Sequence, residues 1–183
     1  MPPYQEMSAK RALRSARGEA LRQAYIDDGG WEKGDGWLYL KALRLTDYID
    51  KLQDHFGVFG NICEIGLYFA KYFIFLNLIK RINEKVIGID LFEISDWEKR
   101  FYGNMGAWPS DDGDPMIIRR NSLEVTAKEL LEWAGGPYRL FSVDGGHSCE
   151  VALNDLRLAH EVLADGGVIM VDDYFDPKCS GTE

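Results

Sequence analysis

The chain has 183 residues, a length for one domain, and at 46% hydrophobic it is too apolar for disorder and has material for a core. Its net charge of -9 argues against a nonspecific grip on nucleic acid or on an anionic membrane. Three cysteines, Cys63, Cys149 and Cys179, lack CxxC spacing and fit reduced thiols better than a disulfide framework.

The basic start lacks the apolar stretch of a signal peptide, and the longest apolar run, Tyr68 to Ile79, is too short to span a bilayer. The expectation is a cytoplasmic protein with no membrane or nucleic-acid partner. Ser8 to Ile26 is predicted helical, with Leu13, Ala20, Leu21 and Ala24 on one face. After a glycine-rich break, Leu38 to Phe56 is a second amphipathic stretch, with Leu43, Leu45, Tyr48, Ile49 and Leu52 near the helical spacing of one face. Asn61 to Ile65 is a short apolar strand ending in a turn at Gly66, and Phe69 to Lys80 is the next helix. Lys85 to Asp90 is the second strand. Leu91 to Pro115 reads as a long acidic and aromatic loop with one helical turn around Asp96 to Phe101. Met116 to Arg119 is the third strand, followed by a helix from Ser122 to Trp133 that opens on a partial capping box at Ser122. A strand ending at Val143-Asp144, a crossover helix stopped by Asp165-Gly166-Gly167, and a strand ending at Asp172-Asp173 complete the chain. Strict alternation implies an α/β fold with a mostly parallel sheet of five strands and helices on both faces. Residues 1–56 form a helical segment packing on a core of residues 57–183.

In such a sheet, ligands bind outside the carboxyl ends of the strands. Gly66 allows close backbone approach, the following helix offers free N–H groups, and Asp90, one βαβ unit later, is placed to accept ribose hydroxyls. Leu67, Tyr68 and Phe69 replace the small residues a pyrophosphate needs, so the loop suits a cofactor without phosphates better than a dinucleotide. The alternative is that Gly66 only makes a tight turn and Asp90 ends a strand in water; the joint spacing favours the site.

Asp144, Asp172 and Asp173 sit at the ends of neighbouring strands. Like charges so placed are costly unless a cation neutralises them, and an all-oxygen set favours Mg²⁺. His147, three residues past Asp144, is the candidate base. Against this stand a capping role for Asp144, a local bond for His147 and a solvated Asp pair. Asp155 reads as a mid-helix structural or solvated residue. Tyr174 and Phe175 are candidate pocket walls, and Trp97, Phe101, Tyr102 and Trp108 a candidate lid or oligomer contact.

Glu64-Ile65-Gly66, Val86 to Asp90, Val143-Asp144-Gly145-Gly146-His147-Ser148, Asn154-Asp155-Leu156, Leu163 to Gly167 and Val171-Asp172-Asp173-Tyr174 together resemble class I S-adenosylmethionine-dependent methyltransferases. The branch they resemble is related to macrocin-type and catechol-type O-methyltransferases, and the resemblance covers about residues 57 to 177. It implies a Rossmann-like doubly wound sheet. It also implies that Glu64 and Gly66 line the methionine end of S-adenosylmethionine, Asp90 the ribose, and Asn121 and Ser122 the adenine. In catechol-type relatives the positions of Asp144, Asp172 and Asp173 hold Mg²⁺ and the hydroxyls of a small acceptor. The chain departs from the family at Ala70-Lys71-Tyr72, where small residues are usual. It also departs in strand number: the family sheet has seven, and the last antiparallel pair is missing here. An open edge of that kind favours association, so a homodimer is expected. The expected reaction is Mg²⁺-assisted O-methylation. A methyltransferase-fold binding or assembly protein without turnover is the second reading. The absent GxGxxG disfavours a nicotinamide oxidoreductase.

Overall fold

The computed structural model describes residues 14–110 and 113–173. Tyr174, Phe175 and Cys179, and the stretch from Ser8 to Leu13, lie outside the described residues.

Five strands form the sheet: β1 (Asn61–Ile65), β2 (Val86–Asp90), β3 (Met116–Arg119), β4 (Tyr138–Val143) and β5 (Leu163–Val171). Their order is β3-β2-β1-β4-β5, and every pairing is parallel. Among the described residues six α-helices accompany them: α1 (Ala16–Ile26), α2 (Leu40–Phe56), α3 (Lys71–Leu78), α4 (Ser95–Gly106), α5 (Ala127–Ala134) and α6 (Cys149–Val162). The two central strands, β1 and β4, are buried along their whole length, as a parallel sheet covered on both faces requires. Alternate residues serve opposite faces. Ile62, Val86 and Leu140 join a core with Tyr25, Leu43, Phe73, Leu76 and Phe101, from α1, α2, α3 and α4. Cys63, Ile87 and Phe141 join a second core with Leu130, Leu158 and Val162, from α5 and α6.

The five parallel strands and helices on both faces agree with the sequence expectation. Several elements differ. Helix α1 starts at Ala16, because the Ser15 side chain accepts from Gly18 N at 2.9 Å and caps it. Its buried residues are Gly18, Arg22, Tyr25 and Ile26, whereas Ala20 is exposed. The segment after β2 is not a loop with one turn but the three-turn helix α4, anchored by fully buried Phe101 and braced by Arg100 Nε on Asp96 Oδ2 at 2.6 Å. Ser122 to Glu124 is a short 3-10 turn, and the capping box belongs to Thr126 and Glu129 at the start of α5. Strand β5 begins directly after α6, and its register on β4 shifts between Leu163 and Val168, so Asp165-Gly166-Gly167 is a bulge in the strand rather than a turn before it.

Helix α2 turns much of the predicted face outward. Leu43 is buried and Ile49 packs on the core, but Leu45, Tyr48, Leu52 and Phe56 are exposed, while Thr46, Asp47, Asp50 and Gln53 point inward. The reason lies in distant cations. Asp47 meets Arg22 and Lys51. Asp50 meets Arg14, Arg81 and the fully buried Arg139 of β4. Arg139 also reaches Glu84 at 2.8 Å and Gln53 Oε1 at 2.9 Å. Once these guanidiniums are inside, burying the aspartates beside them costs less than leaving either charge unpaired.

Candidate active site

The carboxyl ends of β1, β2, β4 and β5 bring Glu64, Asp90, Asp144, His147, Asp172 and Asp173 to one rim of the sheet. Gly66 turns the chain after β1 with φ +87°, and a Cβ there would stand 1.8 Å from the Asp144 carbonyl oxygen. Only glycine lets the loop after β1 cross the loop after β4 this closely. Tyr68 and Ala70 are also left-handed, at φ 44° and 70°. Non-glycine residues hold that conformation only where neighbours impose it. Asp90 imposes it: Oδ2 accepts from Leu67 N at 2.7 Å and Tyr68 N at 3.1 Å, and Oδ1 accepts from Phe92 N at 2.6 Å. The residue expected at a ribose therefore accepts two bonds from the Gly66 loop and one from its own turn after β2.

Glu64 is 2% exposed and within 3.5 Å of Ser142 Oγ through Oε1, and its Oε2 has no hydrogen-bond partner. Burial, then the nearby Asp144 charge, push its carboxyl well above the ordinary range. Asp144 is pushed up to about 8, by burial first and then by Asp172, Asp173 and Asp90. His147 Nε2 lies 3.2 Å from Asp173 Oδ2. Donor atoms of Asp144, His147 and Asp173 all fall within 4.8 Å of one another. The trio expected from sequence was Asp144, Asp172 and Asp173. Among the described residues, the grouping that converges takes His147 in place of Asp172, whose side chain is exposed and whose backbone N–H is bonded to Val143 O at 3.1 Å. The strand ends at Val171, and Asp173 then turns left-handed (φ 55°); Asp172 still lines the hollow with Asp144 and Asp173. The hollow between these residues has about 10 Å³ of open space, the size of one water or one ion.

Asn121 caps the 3-10 turn by accepting from Leu123 N at 3.1 Å, and Ser122 is buried beside α6. Asp155, expected as structural or solvated, is fully buried, accepts from Asn154 Nδ2 at 3.0 Å, and lies 2.9 Å from where a Cβ on Gly145 would be. The candidate lid does not assemble. Phe101 is core, and Trp108 packs edge-to-face on Tyr25 at 4.9 Å, on the side of α1. Tyr102 packs against Phe101, and Trp97 alone of the four reaches Tyr68, at 5.2 Å. Trp37 stacks on the other side of Tyr68 with centroids 5.5 Å apart and planes 2° from parallel. Sequence reasoning missed Trp37, since a tryptophan directly after a glycine-rich break carries no periodicity to place it.

Comparison with known proteins agrees with this architecture. Residues 63–174 match the model of a methyltransferase domain family. Uncharacterized protein R132 of Acanthamoeba polyphaga mimivirus is 27% identical over 101 residues, 54% of this chain and 46% of that protein, so the chain spans less than half the length of this curated relative. Among solved structures, the O-methyltransferase NovP superposes with a TM-score of 0.68 at 14% identity, over 91% of this chain and 86% of that one. The O-methyltransferase TomG from Streptomyces achromogenes, solved in complex with SAM, gives 0.59 at 14% identity, over 97% and 78%. An O-methyltransferase from Bacillus cereus in complex with SAH gives 0.58 at 16%, over 97% and 80%. At these identities the likeness to solved structures is one of fold.

Proposed function

Because the chain belongs to the methyltransferase domain family, whose model spans residues 63–174, we propose that it transfers a methyl group from S-adenosylmethionine to an oxygen of a small hydroxylated molecule. Residues 57–183 act as the catalytic core and residues 1–56 as a helical segment packed on it. The observation that carries this reading is the convergence of Asp144, His147 and Asp173 beside the Gly66 loop. The cofactor carries a sulfonium cation, and the rim that receives it holds carboxylates from four strand ends, so the electrostatics match. Glu64 and Gly66 face the methionine end, Asn121 and Ser122 the adenine. Asp90 acts mainly by holding Leu67 and Tyr68 in place.

The donor set fits a divalent cation, for which Mg²⁺ is the first candidate: oxygens of Asp144 and Asp173 and a ring nitrogen of His147 lie within 4.8 Å of one another, beside the further carboxylate of Asp172. Asp144 and Asp173 would hold it, with Asp172 adjacent. When bound, such an ion lowers the pKa of an acceptor hydroxyl and fixes its orientation. His147 then has one of two roles. With Nε2–H directed at Asp173, the Nδ1 lone pair accepts the acceptor proton; as a ligand through Nε2, it cannot serve as base there. Calorimetric titration separates them. If His147 is the base, His147→Ala leaves Mg²⁺ binding intact and lowers kcat by about 10²–10⁴. If it is a ligand, the same variant loses the ion and Mn²⁺ binds the wild type better than Mg²⁺. Retained methylation after Asp144→Asn would contradict both. For assembly, we propose a homodimer through the exposed stripe of α2 and the adjoining outer edge of β5. Light scattering at high concentration checks it, and a strictly monomeric profile would refute it. Among the described residues no helix is long and apolar enough to cross a membrane.

A further inference from the structure

A second cavity, of about 340 Å³, opens between α1, the 3-10 turn at Gly30–Glu32, α3 and α4. It shares no lining residue with the hollow at Asp144 and His147. Its volume lies in the range of small-molecule sites. Its chemistry is opposite to that of the carboxylate rim. Lys33 and Lys71 line it together with the Asn104 amide, and no aspartate or glutamate does, in a chain of net charge -9. Its inner end is apolar, made by Ile74 and by the edge-to-face pair of Tyr25 and Trp108. Gly30 makes room for that pair, since a Cβ there would fall 2.3 Å from the Trp108 ring.

The polar groups of the wall are held by backbone carbonyls. Lys71 Nζ donates to Gly36 O at 3.1 Å, Asn104 Nδ2 to Phe69 O at 2.7 Å, and Tyr25 OH to Lys71 O at 2.6 Å. A carbonyl is a weaker partner for an ammonium than an anionic oxygen, because only the latter makes a charge-assisted bond. A carboxylate or phosphate entering the mouth therefore gains Lys71 in exchange for the Gly36 carbonyl and reaches the Lys33 ammonium, while its body packs on Ile74 and the two aromatic rings.

We propose that this cavity is a binding site for a small organic anion, a carboxylate or phosphate borne on a flat apolar body, separate from the methyl-transfer centre. Phe69 and Lys71 belong to the segment that leaves the Gly66 loop, so an occupant rests against the back of that loop.

Phenyl phosphate is the probe, benzyl alcohol its uncharged counterpart, and calorimetry on the full chain the readout. No cofactor is present, so the result does not depend on the methyltransferase reading. Saturable one-to-one binding of phenyl phosphate is expected, with benzyl alcohol binding at least tenfold more weakly. Lys33→Met, an exposed substitution that leaves the fold intact, and Lys71→Met should each weaken the probe about tenfold, and Asp144→Asn should leave it unchanged. Absence of binding at millimolar probe, equal binding of the alcohol, indifference to Lys33→Met, or loss in Asp144→Asn would each overturn the proposal.

Discussion

At Gly66 two constraints coincide: a left-handed φ of +87° and a backbone oxygen 1.8 Å from any added Cβ. Backbone cannot swing aside as a flexible side chain can, so Gly66→Ala should cost at least about 3 kcal/mol and remove cofactor binding, as thermal melts and calorimetry will register. Asp144 gives a pH prediction. Its carboxyl titrates near 8 in the folded chain against an ordinary value of 3.8. The folded state thus holds a proton that the unfolded chain has released, and stability falls as pH rises between these two values. Asp144→Asn, which cannot ionise, should flatten that slope and be the more stable form at pH 8 by about 1–3 kcal/mol. A divalent cation should restore the wild type at the same pH. A melting temperature equally steep in pH for both proteins would refute the assignment. Gly66, Asp90, Asp144 and His147 were legible in the sequence because each follows directly from the end of an apolar run. The approach of His147 to Asp173 was not, because it depends on a left-handed Asp173 after the strand stops at Val171, which no local pattern encodes.

Helix α2 shows the limit of periodicity as a guide. Its apolar stripe is real, but the helix turns the other face inward because Asp47 and Asp50 find Arg22, Arg14, Arg81 and Arg139 there. These partners lie 25 to 89 positions away in sequence, so no window along α2 contains them. Asp50→Ala should therefore be strongly destabilising, by about 3–5 kcal/mol, since it leaves buried guanidiniums without a counter-charge. Leu45→Gln on the outer face should stay within about 0.5 kcal/mol. Chemical denaturation of the two variants separates the inverted orientation from the conventional one, which demands the reverse order. Helix α5 makes the smaller point that caps are decided locally. Thr126 Oγ1 accepts from Glu129 N at 3.2 Å while Glu129 Oε2 accepts from Thr126 N at 3.0 Å. Thr126→Ala should cost about 1 kcal/mol.

Over the whole molecule, the five parallel strands and the two packed faces could be read from alternating strands and helices, because a parallel sheet buried on both sides must be written in short, continuous apolar runs. The helical segment that covers one face was less legible. Its packing adds buried ion pairs to the apolar contacts of Tyr25, Ile26 and Leu43, and α4 was hidden by acidic residues and two glycines that lower helix propensity. The resulting molecule separates its charges. Carboxylates crowd the strand ends around the Gly66 loop, and two lysines line the cavity behind it. The methyltransferase reading rests on the first of these regions. Calorimetric titration of the purified chain with S-adenosylmethionine tests it most directly. The account predicts saturable one-to-one binding that Gly66→Ala abolishes, and an absence of heat with both S-adenosylmethionine and its demethylated product at millimolar concentration would contradict it.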